Sequence, residues 1–253
     1  MKYVLLLGLA LILVAVISYS GYRLRLVSKE NAKEARVHNW LMGYHPQKQR
    51  RTAVSAGSGG PVPTGTEANQ SIVDLQAERP DVVGWLTVPN TNMDYPFVQG
   101  VDNNQYLHLD LEDRRSAAGT IFMDFRNSPE FTDFHTILYG HNMRNGSMFG
   151  TLKNFNDRAF FETNRVGSIV LANKTYKIEF MAFAILAPSD TGIYTPTIET
   201  DTDKKKFLDY VDSIARYYRE IDVTTNDRIV TLSTCNYEFS DARMVLVGRL
   251  VAG

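Results

Sequence analysis

The amino-terminal segment constrains the architecture of this chain more than any other part of the sequence. No residue from Tyr3 to Tyr22 carries a charge, and Val4 to Ile17 is apolar or Gly throughout. About twenty such residues cross a bilayer as a helix, because only a helix satisfies its own backbone hydrogen bonds within lipid. The sequence therefore predicts an N-terminal transmembrane helix over residues 1–25.

A cleaved signal peptide is the alternative interpretation of this segment. It is disfavoured because the residues after the apolar run, ISYSGYR, are crowded with tyrosines and offer no small-residue cleavage site. The flanking charges do not fix the orientation, since Lys2 precedes the segment while Arg23, Arg25 and Lys29 follow it. A literal count of positive charges puts the C-terminal part in the cytoplasm, although large domains can translocate despite such charges.

Residues 26–70 are predicted to connect the membrane segment to one globular domain over residues 71–253. The first part, LVSKENAKEARVHNWLMG, predicts either a juxtamembrane helix or a solvated charged spacer. The second part is rich in Gly, Pro, Ser and Thr, which is typical of a flexible tether. His38 and His45 fall in this connection and are expected to be solvated.

Composition excludes several classes of function. The 253 residues include 27 Lys and Arg against 28 Asp and Glu, so no basic excess indicates nucleic-acid binding. The single cysteine excludes an internal disulfide and any multi-cysteine metal site. We expect neither a metal nor a cofactor. A lone cysteine is most often a small buried hydrophobe, so only its position can indicate more.

The domain alternates short apolar runs with turn signals, which predicts strands. The eight runs are DVVGWLTVPN, MDYPFVQG, GTIFMDF, HTILYG, GSIVLAN, KTYKIEFMAFAIL, RIVTLSTC and RMVLVGRLVAG. Helical patterns occur in SIVDLQAE, MFGTLKNF and TDKKKFLDYVDSIARYYRE, the last with Phe207, Tyr210, Val211 and Ile214 at helical spacing. Many strands and few helices predict a mainly β fold with helices (α+β), either a barrel or a curled sheet.

The cysteine, Cys235, ends the predicted strand RIVTLSTC, and Arg243 opens the next strand after the connection 236–242. A short connection favours an antiparallel pair, which brings Cys235 and Arg243 close together. Alternation places Arg243 and Arg249 on one face of the second strand, with two valines between them, and Arg249 is expected to be a solvated charge near the end of the strand. Arg243 is therefore either a surface residue closing a hairpin or a charge with a function at this end of the sheet.

His141 also stands where a predicted strand ends, directly after HTILYG and before a Gly- and Asn-rich turn. Loop positions held by a rigid strand tend to carry catalytic groups, so the residues indicate a candidate Cys–His site. His108 and His135 flank apolar runs and are expected at strand edges.

The ordered set of YGHN, TLSTC and an Arg that opens the following strand resembles the sortase family of Gram-positive bacteria. The stretches DYPFVQGVDNNQYLHLDLEDRRSAAGTIFMDFRN and ILYGHNMRNGSMFGTLKNF resemble class B sortases, and the likeness runs from about Ser71 to the C-terminus. The resemblance implies a sortase-type closed β-barrel with peripheral helices. It also implies a single-pass membrane protein with an extracellular catalytic domain, which overrides the count of positive charges.

The same resemblance implies a transpeptidase. Cys235 would attack a peptide carbonyl to form a thioester, His141 would act as general acid and base, and Arg243 would stabilise the oxyanion. The implied substrates are secreted proteins with a C-terminal sorting signal, cleaved at a Thr-Gly or Thr-Asn bond in a motif that often begins Asn-Pro. The implied acceptor is an amine of a peptidoglycan cross-bridge or its lipid-linked precursor.

Residues that match substrate-contacting positions of class B sortases are Asn103, Leu107, Thr191, Tyr194 and Ser233. Ordinary turn and packing roles are the alternative for each. The chain departs from some class B enzymes at Asn236, where they have an acidic residue. Three other functions stay open: a pilin polymerase, a cysteine peptidase that only hydrolyses, and a binding module with an inert thiol.

Overall fold

The computed structural model describes residues 2–46, 69–187, 189–235 and 242–253, and the chain divides into two compact units, one up to Met42 and one from Gly43. The first unit is helix α1 (Lys2–Leu41). The charged segment after the apolar run is therefore helical, which is one of its two predicted states, and it belongs to the same helix as the apolar run. Residues Gly8–Lys29 of α1 are long and apolar enough to cross a membrane, by length and composition. Of the predicted tether over 45–70, residues 47–68 lie outside the described residues.

The described residues of the second unit form three helices and nine strands. The helices are α2 (Gln70–Glu78), α3 (Arg158–Thr163) and α4 (Asp201–Ile214). The strands are β1 (Val82–Thr87), β2 (Asp94–Gln99), β3 (Phe122–Met123), β4 (His135–His141), β5 (Val166–Leu171), β6 (Thr175–Leu186), β7 (Tyr217–Tyr218), β8 (Arg228–Cys235) and β9 (Arg243–Ala252). Short 3₁₀ turns occupy Met42–Tyr44, Gln105–Leu107, Leu152–Asn156 and Gly192–Tyr194.

Eight of these strands close into a barrel. Their order is β5-β1-β2-β3-β4-β8-β9-β6, and β6 pairs back onto β5. The pairs β2–β3 and β4–β8 are parallel, and the other pairs are antiparallel. Closure leaves no free edge within the ring, which confirms the predicted mainly β barrel with helices.

Side chains alternate between the barrel interior and an outer layer under α4. In β9, Leu246 lies in the interior cluster while Val245 and Val247 pack with α4. A bulge in β6 shifts the register between Phe180 and Ala182, which moves its inward-facing residues from even to odd numbers. The predicted antiparallel pairing of β8 with β9 and the amphipathic face of α4 are both confirmed.

The local sequence pattern was wrong at one helix end, at one helix type and at one helix that it missed. Helix α4 ends at Ile214 rather than near Glu220, because Tyr217–Tyr218 pair with the edge of β6 as β7. The helix predicted in MFGTLKNF is only the 3₁₀ turn Leu152–Asn156. Helix α3 follows it and was missed, although Asp157 caps it by accepting the Phe160 amide.

His45 is not solvated, which corrects the expectation for this residue. It is 8% exposed, its Nε2 lies 3.0 Å from Asp94 Oδ1, and its ring meets Trp85 edge-on. Asp94 also accepts hydrogen bonds from Trp85 Nε1 and Thr87 Oγ1. The start of the predicted tether is therefore packed onto β1 and β2.

His135 lies at the start of strand β4, as expected, and is fully buried there. Its ring nitrogens bond the Thr195 carbonyl and the Thr231 hydroxyl, and Phe207 of α4 lies 4.3 Å away between ring centroids. Burial lowers the pKa of His135 to about 4, so the imidazole is neutral at physiological pH. This histidine binds the α4 layer to the barrel.

Candidate active site

His141 and Cys235 lie at the adjoining ends of β4 and β8. These strands are parallel neighbours with seven register pairs, and the last pair joins His141 to Cys235. Paired Cα positions on adjacent strands lie about 5 Å apart. The barrel therefore places the two residues of the candidate Cys–His site side by side, although 94 positions separate them in the sequence.

The β8–β9 register carries Arg243 to the same place. Ser233 and Val245 form the last register pair of the two strands, so Cys235 and Arg243 each lie two residues beyond it. Between them, the Thr234 hydroxyl accepts the Met244 amide at 3.0 Å. The antiparallel pairing therefore puts Cys235 and Arg243 at the same end of the two strands. The connection Asn236–Asp241, including the departure at Asn236, lies outside the described residues.

Two neighbours hold His141. Its Nε2 lies 2.7 Å from the Leu107 carbonyl oxygen, which can only accept, so Nε2 carries a proton. The preceding residue must be Gly, because a Cβ on Gly140 would lie 2.8 Å from Cγ of the Phe149 ring. Phe149 in turn donates its amide to the His141 carbonyl at 3.0 Å. Leu107 therefore contributes a backbone oxygen to the site, while its side chain is only 5% exposed.

Burial lowers the pKa of His141 below the ordinary histidine value, the Leu107 hydrogen bond raises it in part, and charge on His108 lowers it again. The two imidazole rings are 6.3 Å apart. A His108→Gln variant should therefore raise the pKa of His141, because a like charge is removed, while burial keeps it below the ordinary value. NMR titration of the imidazole Cε1 protons measures this, with the His141 signal assigned by its loss in His141→Gln. An unchanged or lower midpoint would contradict the coupling, and the His135 signal serves as the internal control.

Arg243 lies over the ring of Tyr194, with its guanidinium carbon 4.8 Å from the ring centroid. The Tyr194 hydroxyl shares a 3.0 Å hydrogen bond with Ser233 Oγ, and its ring stacks on Tyr139 at 6.2 Å and 17°. Tyr194 thus joins β4, β8 and β9 at one point. Cation–π contact and stacking both restrict where the planar guanidinium can lie.

The predicted groove residues do not all face the same environment. Ser233 is fully buried under Tyr194, and Asn103 is half-buried and donates to Asp124 Oδ2 at 2.9 Å. Thr191 is exposed, and its carbonyl accepts the Tyr194 amide at 2.9 Å. The structure therefore joins Ser233 and Tyr194 to Arg243, joins Leu107 to His141, and leaves Thr191 at the rim.

Asp124, Arg126 and Tyr139 were missed in the sequence. Their carboxylate, guanidinium and hydroxyl groups form one network beside Asn103. The signal was an aspartate inside the predicted strand GTIFMDF, between two apolar residues. In the part of the chain that the structure describes, no group of three or more His, Cys, Asp or Glu side chains is placed to hold a metal.

Fold and site together define a known class of enzyme. The family described as "Sortase domain" matches residues 86–251, which is most of the barrel, and the chain belongs to this sortase family. Sortase B of Listeria monocytogenes is 34% identical over 246 residues, covering 96% of each chain. The likeness is therefore to class B, as the sequence motifs indicate.

Solved structures agree with this assignment. A sortase B–substrate complex from Staphylococcus aureus has a TM-score of 0.75 and 27% identity, covering 88% of this chain and 98% of that one. Sortase B from Clostridium perfringens has a TM-score of 0.67 and 35% identity, covering 71% and 98%. The family consists of transpeptidases that act at the cell surface on substrate proteins with sorting signals and a cell-wall amine, and this chain is an enzyme of that kind.

Proposed function

We propose that the chain is a membrane-anchored cysteine transpeptidase with Cys235 as nucleophile, His141 as general acid and base, and Arg243 as oxyanion donor. The observation that carries the proposal is the register pair of His141 and Cys235 at the adjoining ends of β4 and β8. A thiol and an imidazole in neighbouring positions are what nucleophilic catalysis at a peptide carbonyl requires.

The reaction proceeds in two halves. The Cys235 thiolate attacks the scissile carbonyl, and negative charge develops on its oxygen, where the Arg243 guanidinium donates. The leaving amine departs with a proton from His141, and a thioester remains. An incoming amine then attacks the thioester, loses its proton to His141 and expels the thiolate. Because Nε2 donates to Leu107, Nδ1 is the nitrogen that gives and takes this proton.

The substrate is a C-terminal sorting signal cleaved at a Thr-Gly or Thr-Asn bond, in a motif beginning Asn-Pro. Asn103, Leu107, Thr191, Tyr194 and Ser233 line or support its groove on the outer face of the barrel. Two contacts favour these roles. The hydroxyls of Tyr194 and Ser233 share a hydrogen bond, and the Leu107 carbonyl oxygen accepts a hydrogen bond from His141. The acceptor is an amine of the peptidoglycan cross-bridge or of its lipid-linked precursor.

The anchor is residues 1–25, followed by a connection over 26–70 and the catalytic domain over 71–253. Support comes from the apolar segment Gly8–Lys29 of α1. The chain would cross the membrane once and expose the catalytic domain outside the cell. His45 and Asn69 both contact the barrel, so a soluble form that begins at Gly43 keeps the docked segment.

The proposal predicts transfer rather than simple cleavage. A soluble form beginning at Gly43 is incubated with peptides that carry Asn-Pro motifs and a Thr-Gly or Thr-Asn bond, with and without an oligoglycine amine. We expect the amine to appear joined to the Thr carbonyl by mass spectrometry, at the expense of the free acid. Matched peptides with the Thr replaced by Val serve as the control.

Two other outcomes would change the assignment. Free acid that forms at the same rate with and without the amine would identify a peptidase that only hydrolyses. Transfer onto the side-chain amine of a lysine in a pilin-like peptide, in preference to oligoglycine, would identify a pilin polymerase.

A further inference from the structure

A fully buried carboxylate, Asp124, lies beside the predicted groove residue Asn103. The side chain of Asp124 has no exposed surface, and it follows the short strand β3. Its Oδ1 accepts from the backbone amide and Nε of Arg126 at 3.0 and 2.9 Å. Its Oδ2 accepts from Arg126 Nη2 at 2.8 Å, Asn103 Nδ2 at 2.9 Å and the Tyr139 hydroxyl at 3.0 Å. Three separate parts of the chain therefore meet on one side chain.

This carboxylate is charged in the folded protein. Burial alone would raise the pKa of Asp124, but the hydrogen bonds from Arg126, Asn103 and Tyr139 outweigh burial and lower it below the usual aspartate value. A buried charge that is fully hydrogen-bonded is strongly tied to its partners, because removing any one of them leaves an unsatisfied group. The network therefore fixes the relative positions of the elements that supply its donors.

Each donor leads to a residue of the candidate site. Asn103, which belongs to the predicted groove, is held at both ends, because its Oδ1 also accepts the Phe125 amide at 3.0 Å. Arg126 Nη2 reaches across to the Tyr194 carbonyl oxygen at 3.3 Å. Tyr139 supplies the ring on which Tyr194 stacks. Asp124 thus holds Tyr194 indirectly. Arg126 connects it to the Tyr194 backbone, and Tyr139 connects it to the Tyr194 ring.

Tyr194 in turn carries Arg243 over its ring at 4.8 Å. A path of direct contacts therefore runs from Asp124 through Tyr139 and Arg126 to Tyr194 and on to Arg243. A second, shorter path runs from Asp124 to Asn103. The first path ends at Arg243, the proposed oxyanion donor. The second path ends at Asn103, in the predicted groove for the peptide.

We infer that Asp124 is a positioning residue for sortase chemistry, which sets Arg243 through Tyr194 and sets the groove through Asn103. This inference rests on the proposed roles of Arg243 and Asn103. It does not give Asp124 a part in proton transfer, because the carboxylate is fully buried and enclosed by donors. Its effect on rate arises from the geometry of the residues that it holds.

Asp94 provides a matched control. It is also a barrel carboxylate with three side-chain partners, Trp85, Thr87 and His45, but it lies at the start of β2 and contacts no residue of the candidate site that the structure describes. Asp94→Asn and Asp124→Asn therefore both weaken a buried hydrogen-bond network, while only the second touches the groove.

The test measures kcat and KM for both variants on one sorting-signal peptide, with thermal unfolding measured in parallel. Asp124→Asn should lower kcat/KM on the order of tenfold or more, with kcat reduced and KM raised. A loss of folded enzyme lowers the apparent kcat and leaves KM unchanged, so the rise in KM separates positioning from stability. Asp94→Asn should lower the unfolding temperature while leaving kcat/KM within about twofold of the parent, since it lies outside the network.

A double-mutant cycle tests the path to Arg243. If Asp124 acts through Arg243, then Asp124→Asn should cost kcat several-fold less in an Arg243→Lys background than in the parent. Full additivity, or equal losses from Asp124→Asn and Asp94→Asn, would overturn the inference. A silent Arg243→Lys instead refutes the proposed oxyanion role, and the cycle is then additive and refutes the path as well. The rise in KM still reports on Asn103.

Tyr139→Phe covers the case in which Asp124→Asn does not fold. It removes one hydrogen bond to the carboxylate and keeps the ring that stacks on Tyr194. We expect a reduced kcat and only a modest fall in unfolding temperature, because Asp124 Oδ2 loses one donor but still accepts from Arg126 and Asn103. An unchanged kcat in a folded Tyr139→Phe enzyme would overturn the path through the ring.

Discussion

Replacing Cys235 with Ala is expected to abolish both cleavage and transfer while the barrel stays folded. No other residue can form the thioester, because this is the only cysteine in the chain. Loss of the nucleophile costs about a million-fold in kcat in a well-studied hydrolase. The substitution removes one small side chain, so its cost in stability should be about 1 kcal/mol.

The measurement is the release of the C-terminal fragment of a sorting-signal peptide, followed by chromatography, with circular dichroism as the check on folding. Cys235→Ser is the matched variant. It retains a nucleophilic atom, but a hydroxyl is a poor nucleophile at neutral pH without an effective base, so it should also be nearly inactive. A folded Cys235→Ala enzyme that still cleaved the peptide would refute the whole catalytic assignment.

Local pattern predicted much of the barrel. Eight of the nine strands follow from alternation and turn signals, and α4 follows from Phe207 and Val211 at helical spacing. The antiparallel pair β8–β9 followed from the short connection between its strands. Each of these features depends on residues close in sequence, so a local sequence pattern is enough to predict it. Strand β7 is only two residues long, and its pairing with β6 decides its state.

The placement of the site depended on contacts that no local pattern encodes. Cys235 and His141 each stood at a predicted strand end, but their parallel pairing is between strands far apart in sequence. The packing of His45 onto Trp85 and the network around Asp124 are of the same kind. An aspartate, and often a histidine, is predicted to lie at the surface when only the residue type is known. Their burial here depends on hydrogen-bond partners that come from distant parts of the chain.

The prediction with the second largest effect separates Arg243 from Arg249. Alternation puts both on one face of β9, roughly 20 Å apart, and only Arg243 lies at the end that carries Cys235. Arg243→Lys keeps the charge but loses the planar fork of donors and its stacking on Tyr194. Loss of one oxyanion donor costs on the order of a hundredfold in kcat.

Arg249 is a better control than a solvated residue would be, and the expectation that it is solvated is wrong. Its side chain is 20% exposed, and it bonds Glu179 Oε2 at 2.6 Å and the Asp222 carbonyl. Arg249→Lys therefore disturbs a real ion pair on the same strand and should lower stability by about 1 kcal/mol or less. Turnover should be unchanged, because no contact links this pair to the site among the described residues.

The decisive measurement is kcat and KM for Arg243→Lys and Arg249→Lys on one sorting-signal peptide. If Arg243 stabilises the oxyanion, kcat should fall far more than KM rises, because the contact strengthens only as negative charge develops on the carbonyl oxygen. Equal and small effects from the two substitutions would make Arg243 a surface residue that closes a hairpin. A rise in KM alone would place it in substrate binding, where its stacking on Tyr194 would orient the peptide instead of stabilising the oxyanion.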